Sequence, residues 1–205
     1  MDGRDPKRCT AFEGHRCIAS GNLRNVARKV KKIIGSDEQA PILIFDDITG
    51  EPIEVDFRGT VKDVLNRLEK PPAKAPSKAS RGKPRGPGRP KLGVVSREVT
   101  LLPRHWDWLN IQPGGASVAL RKLVEEARRV NRNRDKVRHS QEVAYRFMSA
   151  MAGNLPGFEE ATRALFAGDP EGFNDLIGSW PGDIRNHARK LAEAAFRNRV
   201  GGSEK

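Results

Sequence analysis

The 205-residue sequence predicts an α+β fold built from four segments. Short runs of β-forming residues alternate with amphipathic helical patterns in the first third, a basic Pro- and Gly-rich segment follows, and the last third is helical throughout. We therefore predict a small α+β domain over 8–70, a disordered basic linker over 71–96, a strand-helix-helix unit over 97–138 and an α-helical module over 139–200.

The N-terminal segment has the order hairpin, helix, hairpin, helix. Residues 10–12 and 16–19 are expected to pair around a tight turn. Residues 41–45 form a short apolar run, and 53–57 alternate apolar and polar side chains, which predicts a second hairpin. This order suggests a diverged internal duplication around one small core.

Polar residues mark where the helices begin. Asn22 is a suitable N-cap for the first helix, and Thr60 is expected to cap the second. In the C-terminal module, Asp169 precedes a proline, which predicts another helix start. Four short helices with apolar stripes would pack there as a module for internal packing or for binding a partner.

Few side chains outside the linker indicate chemistry. Asp46 and Asp47 could bind a metal, but adjacent carboxylates in a turn are more often solvated turn formers. Cys17 lies in an apolar run and is expected to be a small core residue. His139 and His187 stand without paired acids or cysteines, so we assign them no chemistry and predict no metal site and no cofactor.

The linker contains the stretch 81–91, which reads Arg-Gly-Lys-Pro-Arg-Gly-Pro-Gly-Arg-Pro-Lys. It has a high density of positive charge, no acid, and too much Gly and Pro for a helix or strand. An extended basic ribbon of this kind fits the narrow, negative minor groove of A·T-rich DNA. The predicted contacts are Arg81, Lys83, Arg85, Gly88, Arg89, Pro90 and Lys91.

Gly88-Arg89-Pro90, with basic residues on both sides, resembles the AT-hook, a minor-groove ribbon built on Arg-Gly-Arg-Pro. That resemblance implies that Arg89 lies on the groove floor. The alternative is a flexible basic tether that happens to contain this tripeptide.

The strand-helix-helix unit resembles the ribbon-helix-helix fold of DNA-binding proteins. The resemblance rests on the extended run 97–103, on Leu-Pro-x-x-Trp-x-x-Leu starting at Leu102, and on the Gly-Ala-Ser turn before the second helix. It implies a homodimer through 97–131 whose paired strands enter the major groove. The implied contacts are Arg97 from the strand, Ser117 at the helix start as a phosphate ligand, and Arg121 and Lys122 on the outer helix face. The alternative is a small packing unit whose tryptophans form a core.

The distribution of charge supports a polyanionic partner. The net charge is +12, and the excess is confined to 71–138. Residues 71–96 contain seven Lys and Arg and no acid, and 97–138 contain ten Lys and Arg against five acids, while the two ends are nearly neutral. Such a concentrated positive segment favours binding to nucleic acid.

Residues 88–95, 99–109 and 114–124 resemble the bacterial family catalogued as domain of unknown function 2239, and this resemblance extends over most of the chain. The family has no established activity, so the resemblance implies no mechanism.

We therefore expect a cytoplasmic, nucleoid-associated protein that binds double-stranded DNA and regulates transcription or shapes the nucleoid. RNA is a less favoured partner, because the linker has no aromatic side chains for stacking on unpaired bases. A protein from another class, an interaction adaptor with a basic tether, is the alternative. We do not expect an enzyme, since no nucleotide-binding loop, metal spacing or nucleophile-histidine arrangement is present. No apolar run is long enough to cross a membrane.

Overall fold

The computed structural model describes residues 8–34, 40–69, 95 and 97–197. The chain divides into two compact units. Unit 1 contains Met1–Pro71 and Arg132–Lys205, and unit 2 contains Pro72–Asn131, so unit 2 interrupts unit 1 in the sequence. Apart from Val95, the whole predicted linker lies outside the described residues, so its expected disorder stays a prediction.

The predicted α+β class is confirmed. In the part of the chain that the structure describes, a three-stranded antiparallel sheet is combined with seven helices. The strands are β1 (Arg8–Glu13), β2 (Arg16–Asn22) and β3 (Ile42–Asp46), in the spatial order β2-β1-β3. The first predicted hairpin is confirmed as β1 and β2.

The second predicted hairpin is wrong. β3 pairs along β1, and residues 53–57 form no strand. The chain after the turn meets β3 through an isolated bridge between Pro52 and Phe45, and residue 53 makes one backbone hydrogen bond to β3. In that bond the amide of Ile53 donates to the carbonyl of Ile44 at 2.6 Å. The alternating apolar side chains of 53–57 instead pack beside the core. The predicted duplication therefore has no counterpart in the fold.

The capping residues behave as predicted. Helix α1 (Leu23–Ile33) begins after Asn22, whose side chain accepts from the Asn25 amide at 2.9 Å. Helix α2 (Val61–Glu69) begins with a reciprocal pair, in which the Thr60 amide donates to Asp63 Oδ2 at 2.8 Å and the Asp63 amide donates to Thr60 Oγ1 at 3.3 Å.

The remaining helices are α3 (Pro103–Asn110), α4 (Gly115–Ala152), α5 (Phe158–Ala167), α6 (Pro170–Leu176) and α7 (Gly182–Phe196). Asp169 caps α6 as predicted, since its Oδ1 accepts from the Gly172 amide at 3.1 Å. Helix α4 differs from the sequence-based expectation, because a single 38-residue helix replaces two. Residues 116–152 contain no Gly or Pro, so nothing in that stretch interrupts the helix. Among the described residues, no helix has the length and apolarity to cross a membrane.

The core of unit 1 joins both ends of the chain. Central strand β1 is buried on both faces: Cys9 and Ala11 pack in the cluster with α1, while Phe12 packs in the cluster with the C-terminal helices. The rings of Phe12 and Phe45 lie 5.4 and 5.2 Å from that of Phe147 on α4. The predicted segments 8–70 and 139–200 thus share one hydrophobic core.

Candidate functional site

The seven predicted contacts in the AT-hook-like stretch lie outside the described residues. They are Arg81, Lys83, Arg85, Gly88, Arg89, Pro90 and Lys91. The structure describes the other four predicted contacts, Arg97, Ser117, Arg121 and Lys122, all in unit 2 and all exposed.

Ser117 and Arg121 lie together at the start of α4. The Arg121 guanidinium donates to the Ser117 carbonyl from Nε at 2.9 Å and approaches Ser117 Oγ from Nη2 at 3.4 Å. Lys122 follows on the exposed surface, and the first turn of α4 contains no acid. The helix start therefore combines the positive end of the helix dipole with a guanidinium, an arrangement suited to an anion.

Arg97 lies in a segment that forms no strand in the single chain. Residues 97–102 have no strand partner among the residues that the structure describes. In the ribbon-helix-helix arrangement that partner is the same segment of a second copy, so the single chain leaves the predicted ribbon untested.

The tryptophans of unit 2 are exposed, contrary to the alternative in which they form a core. Trp106 is 37% exposed and Trp108 is 48% exposed, whereas only Leu109 and Ala119 are buried hydrophobic residues in the described part of unit 2. An apolar cavity of about 330 Å³ lies between α3 and the first turns of α4. Its lining is Leu101, Arg104, His105, Trp108, Leu109, Leu120 and Leu123. The described part of unit 2 thus has no closed core in the single chain.

The basic run on α4 is partly neutralised within the helix. Arg128, Arg129 and Arg138 each pair with a carboxylate three residues earlier, at 2.8–2.9 Å. These exposed pairs reduce the charge that the run presents to a partner.

Unit 1 contains a polar cluster, buried except for a lysine at its edge, that the sequence analysis missed. Asp47, in the turn after β3, accepts from Thr10 Oγ1 at 2.8 Å on Oδ1 and from Lys190 Nζ at 2.8 Å on Oδ2. His187 Nε2 lies 3.8 Å from the same Oδ1, and no described residue forms a hydrogen bond with it. We call Thr10, Asp47, His187 and Lys190 the Asp47 cluster.

Burial determines the protonation of His187. Its ring lies between those of Phe12 and Phe147, with centroids 5.3 and 4.6 Å away. Burial lowers the pKa of His187 to about 4, because the surroundings disfavour the charged imidazolium; Asp47 opposes this effect and Lys190 adds to it. At neutral pH the imidazole of His187 is therefore neutral.

Three sequence-based expectations for these residues are wrong. Asp46 is a turn former, since its Oδ1 accepts from the Ile48 amide at 2.8 Å, but it is buried and not solvated. Asp47 is largely buried, and His187 does have an acid beside it. Cys17 is exposed on edge strand β2, while Cys9 on the central strand is buried. The sequence contains no direct signal for the cluster, because its members belong to elements far apart in the chain.

A cavity of about 260 Å³ borders the Asp47 cluster. Its lining is Thr10, Phe12, Cys17, Ser20, Asp183, Asn186, His187 and Lys190. Asp183 Oδ2 accepts from the Cys17 amide at 2.8 Å, which links β2 to α7. Across the described ranges, no group of three or more His, Cys, Asp and Glu side chains has a geometry that could hold a metal ion.

The fold and these sites define an α+β protein whose core is assembled from both ends of the chain and interrupted in sequence by a second unit. The profile of a family described as an uncharacterized protein conserved in bacteria, domain of unknown function 2239, matches residues 8–192. The chain therefore belongs to that family. No curated protein and no solved structure matches the chain.

Proposed function

We propose that this chain binds double-stranded DNA, with A·T-rich duplex preferred, as a transcriptional regulator or a nucleoid-architectural protein in the cytoplasm. The observation that carries the proposal is the confinement of the net charge of +12 to residues 71–138. A protein that neutralises DNA phosphates with Lys and Arg gains affinity from the counterions that it releases, and a local excess of cations provides such contacts.

The contacts would divide between two grooves and the backbone. Arg85, Arg89 and Lys91 would occupy the minor groove, where A·T-rich sequence gives a narrow and negative floor. The start of α4 would hold a phosphate, and the exposure of Arg121 beside Ser117 supports this role. Arg97 would contact a base or a phosphate.

We propose further that the binding species is a homodimer formed through 97–131. The described part of unit 2 buries only two hydrophobic residues and leaves both tryptophans exposed. The segment 97–102 also lacks a strand partner, and the same segment of a second copy would provide one by antiparallel pairing.

An interaction adaptor is the second candidate, and the same exposed apolar surface favours it. In that case a different protein would cover the tryptophans, and the segment 71–96 would be a tether without base or groove preference.

The first experiment is fluorescence anisotropy with A·T-rich and G·C-rich duplexes over a salt series. Wild type would be compared with Arg89→Ala, with the matched variant Arg89→Lys, and with a variant that lacks 81–91. We expect wild type to bind A·T-rich duplex more tightly than G·C-rich duplex, and Arg89→Ala and the deletion to lose that preference. Arg89→Lys should retain most of the affinity but less of the preference.

Equal binding of all variants to both duplexes would contradict the minor-groove contact. Absence of duplex binding by wild type would contradict the proposed function, and the interaction adaptor would remain as the candidate function. Tighter binding to single-stranded RNA than to either duplex would redirect the proposal to RNA.

A further inference from the structure

Helix α1 presents a basic surface in unit 1, most of whose cations have no acid partner among the described residues. Its eleven residues contain five cations and no acid. They are Arg24, Arg28, Lys29, Lys31 and Lys32. The near-neutral charge of 1–70 conceals this surface, because none of the acids of the segment lies within α1.

In the described residues, only Arg24 of these cations has a carboxylate partner, Glu69 at the end of α2. Arg28 has a neutral neighbour, the side-chain oxygen of Asn25 at 3.5 Å. The arginine pairs of α4 described above show the usual alternative, in which a helical cation has an acid one turn away.

The spacing of the cations is unfavourable for the helix itself. Arg28 and Lys32 are four residues apart, and Lys29 and Lys32 are three apart, so like charges share one face at the spacing where opposite charges would stabilise. The helix dipole favours cations in the last turn but disfavours Arg24 in the first. Helix stability therefore does not explain this surface.

The chemistry of α1 indicates the kind of partner. Its apolar face is used internally, since Val26, Ala27 and Val30 are completely buried, so nothing apolar is left to enter a bilayer. It has no aromatic side chain that could stack on unpaired bases. What remains is a row of exposed cations, which fits a regular array of phosphates.

We propose that α1 is a second contact surface for the DNA backbone, with Arg28, Lys29 and Lys32 binding phosphates. All three side chains are exposed. The proposal rests on the proposed function, and it adds a contact in unit 1 that is independent of the linker and of unit 2.

The test compares two triple variants of the full chain by anisotropy over a salt series, on the same duplex. The first is Arg28→Gln, Lys29→Gln, Lys32→Gln. The matched control, Arg58→Gln, Arg163→Gln, Arg197→Gln, removes the same charge from exposed arginines of unit 1 that are paired with acids. Thermal unfolding of both variants monitors the fold.

For the α1 variant we expect the slope of log K against log salt to become shallower by about 2–3, at roughly 0.9 for each phosphate that is no longer neutralised. Affinity near 50 mM salt should fall on the order of tenfold or more. The control should keep the wild-type slope. The melting temperature of the α1 variant should not fall, because the substitutions relieve like-charge repulsion.

Equal slopes in the two variants would overturn the α1 surface while leaving DNA binding by the linker intact. The variant that lacks 81–91 separates the linker contact from the α1 contact further. In that variant, the three α1 substitutions should weaken the residual DNA binding as well. If wild type binds no duplex, both proposals fail. Loss of binding to anionic lipid vesicles, with DNA binding unchanged, would overturn the DNA contact in favour of a membrane surface.

Discussion

His187 Nε2 lies 3.8 Å from Asp47 Oδ1, which brings the middle of α7 against the turn that follows β3. Both side chains are largely buried, and Thr10 and Lys190 donate hydrogen bonds to the Asp47 carboxylate. Asp47 links the N-terminal sheet to the last helix through its contact with Lys190, while His187 lies beside it against the aromatic ring of Phe147. The pair also makes the stability of unit 1 depend on pH.

The first prediction concerns that dependence. The pKa of His187 is lowered to about 4 in the folded chain, against about 6.5 for an ordinary histidine, so the unfolded state takes up a proton first as pH falls. The contribution of neutral His187 to stability should be complete above about pH 6.5 and decline toward pH 4. We expect a loss on the order of 1–3 kcal/mol over this range, measured by urea unfolding.

The variant His187→Phe provides the control for this effect. It keeps an aromatic ring between Phe12 and Phe147 but cannot be protonated, so its stability should change less between pH 6.5 and 4. If wild type and variant show the same pH dependence, His187 is not its source.

The second prediction is that Asp47→Ala destabilises unit 1 by about 1–3 kcal/mol. The substitution removes the closer acceptor of the buried Thr10 hydroxyl, leaving Ser20 Oγ at 3.2 Å, and removes the partner of Lys190. Glu51→Ala, at an exposed acid of the same turn region, should change stability by less than about 0.5 kcal/mol. Equal effects in chemical denaturation would mean that the Asp47 contacts contribute nothing.

The third prediction uses Gly50, which is buried where the turn after β3 meets the backbone of α4. Its φ of +71° lies in the left-handed region, and an added Cβ would overlap the carbonyl oxygen of Val143. Gly50→Ala should therefore lower the free energy of unfolding by more than about 2 kcal/mol. Gly182→Ala at the start of α7, where a Cβ meets nothing within 4 Å, should cause no loss. A tolerated Gly50→Ala would contradict the close approach.

The fourth prediction tests the apolar surface of unit 2. Leu123 lines the cavity between α3 and α4 and is half exposed. Leu123→Glu should convert a dimer to a monomer in sedimentation equilibrium, because it places a charge in the apolar contact. Phe166→Glu, at an exposed apolar residue of α5 outside 97–131, should leave the dimer intact. A wild type that is monomeric at micromolar concentration would contradict the proposed dimer.

The features that could be predicted from the sequence depend on local chemistry. Asn22, Thr60 and Asp169 cap helices because a side-chain oxygen satisfies nearby amides, and this requires no knowledge of the rest of the chain. The first hairpin was predictable for the same reason. The second was not, because β3 pairs with β1 across a helix, and β propensity in 53–57 does not specify a partner.

The candidate sites show the same limit. Exposed cations such as Arg121 could be placed on a helix face from periodicity alone. The Asp47 cluster could not, since Thr10, Asp47 and His187 meet only after the sheet has packed on α7. The basic surface of α1 is visible in the sequence, but the near-neutral sum of charge over 1–70 hides it.

The shared core of unit 1 has a consequence for biosynthesis. Phe12 and Phe45 leave the ribosome early, but their ring partner Phe147 follows only after all of unit 2 has been made. At typical rates of about 5–20 residues per second, the residues between Phe45 and Phe147 take on the order of ten seconds to synthesise. During that time the apolar face of the sheet has no aromatic partner from α4. A nascent chain stalled within unit 2 would therefore expose aromatic surface, a target for chaperones and proteases.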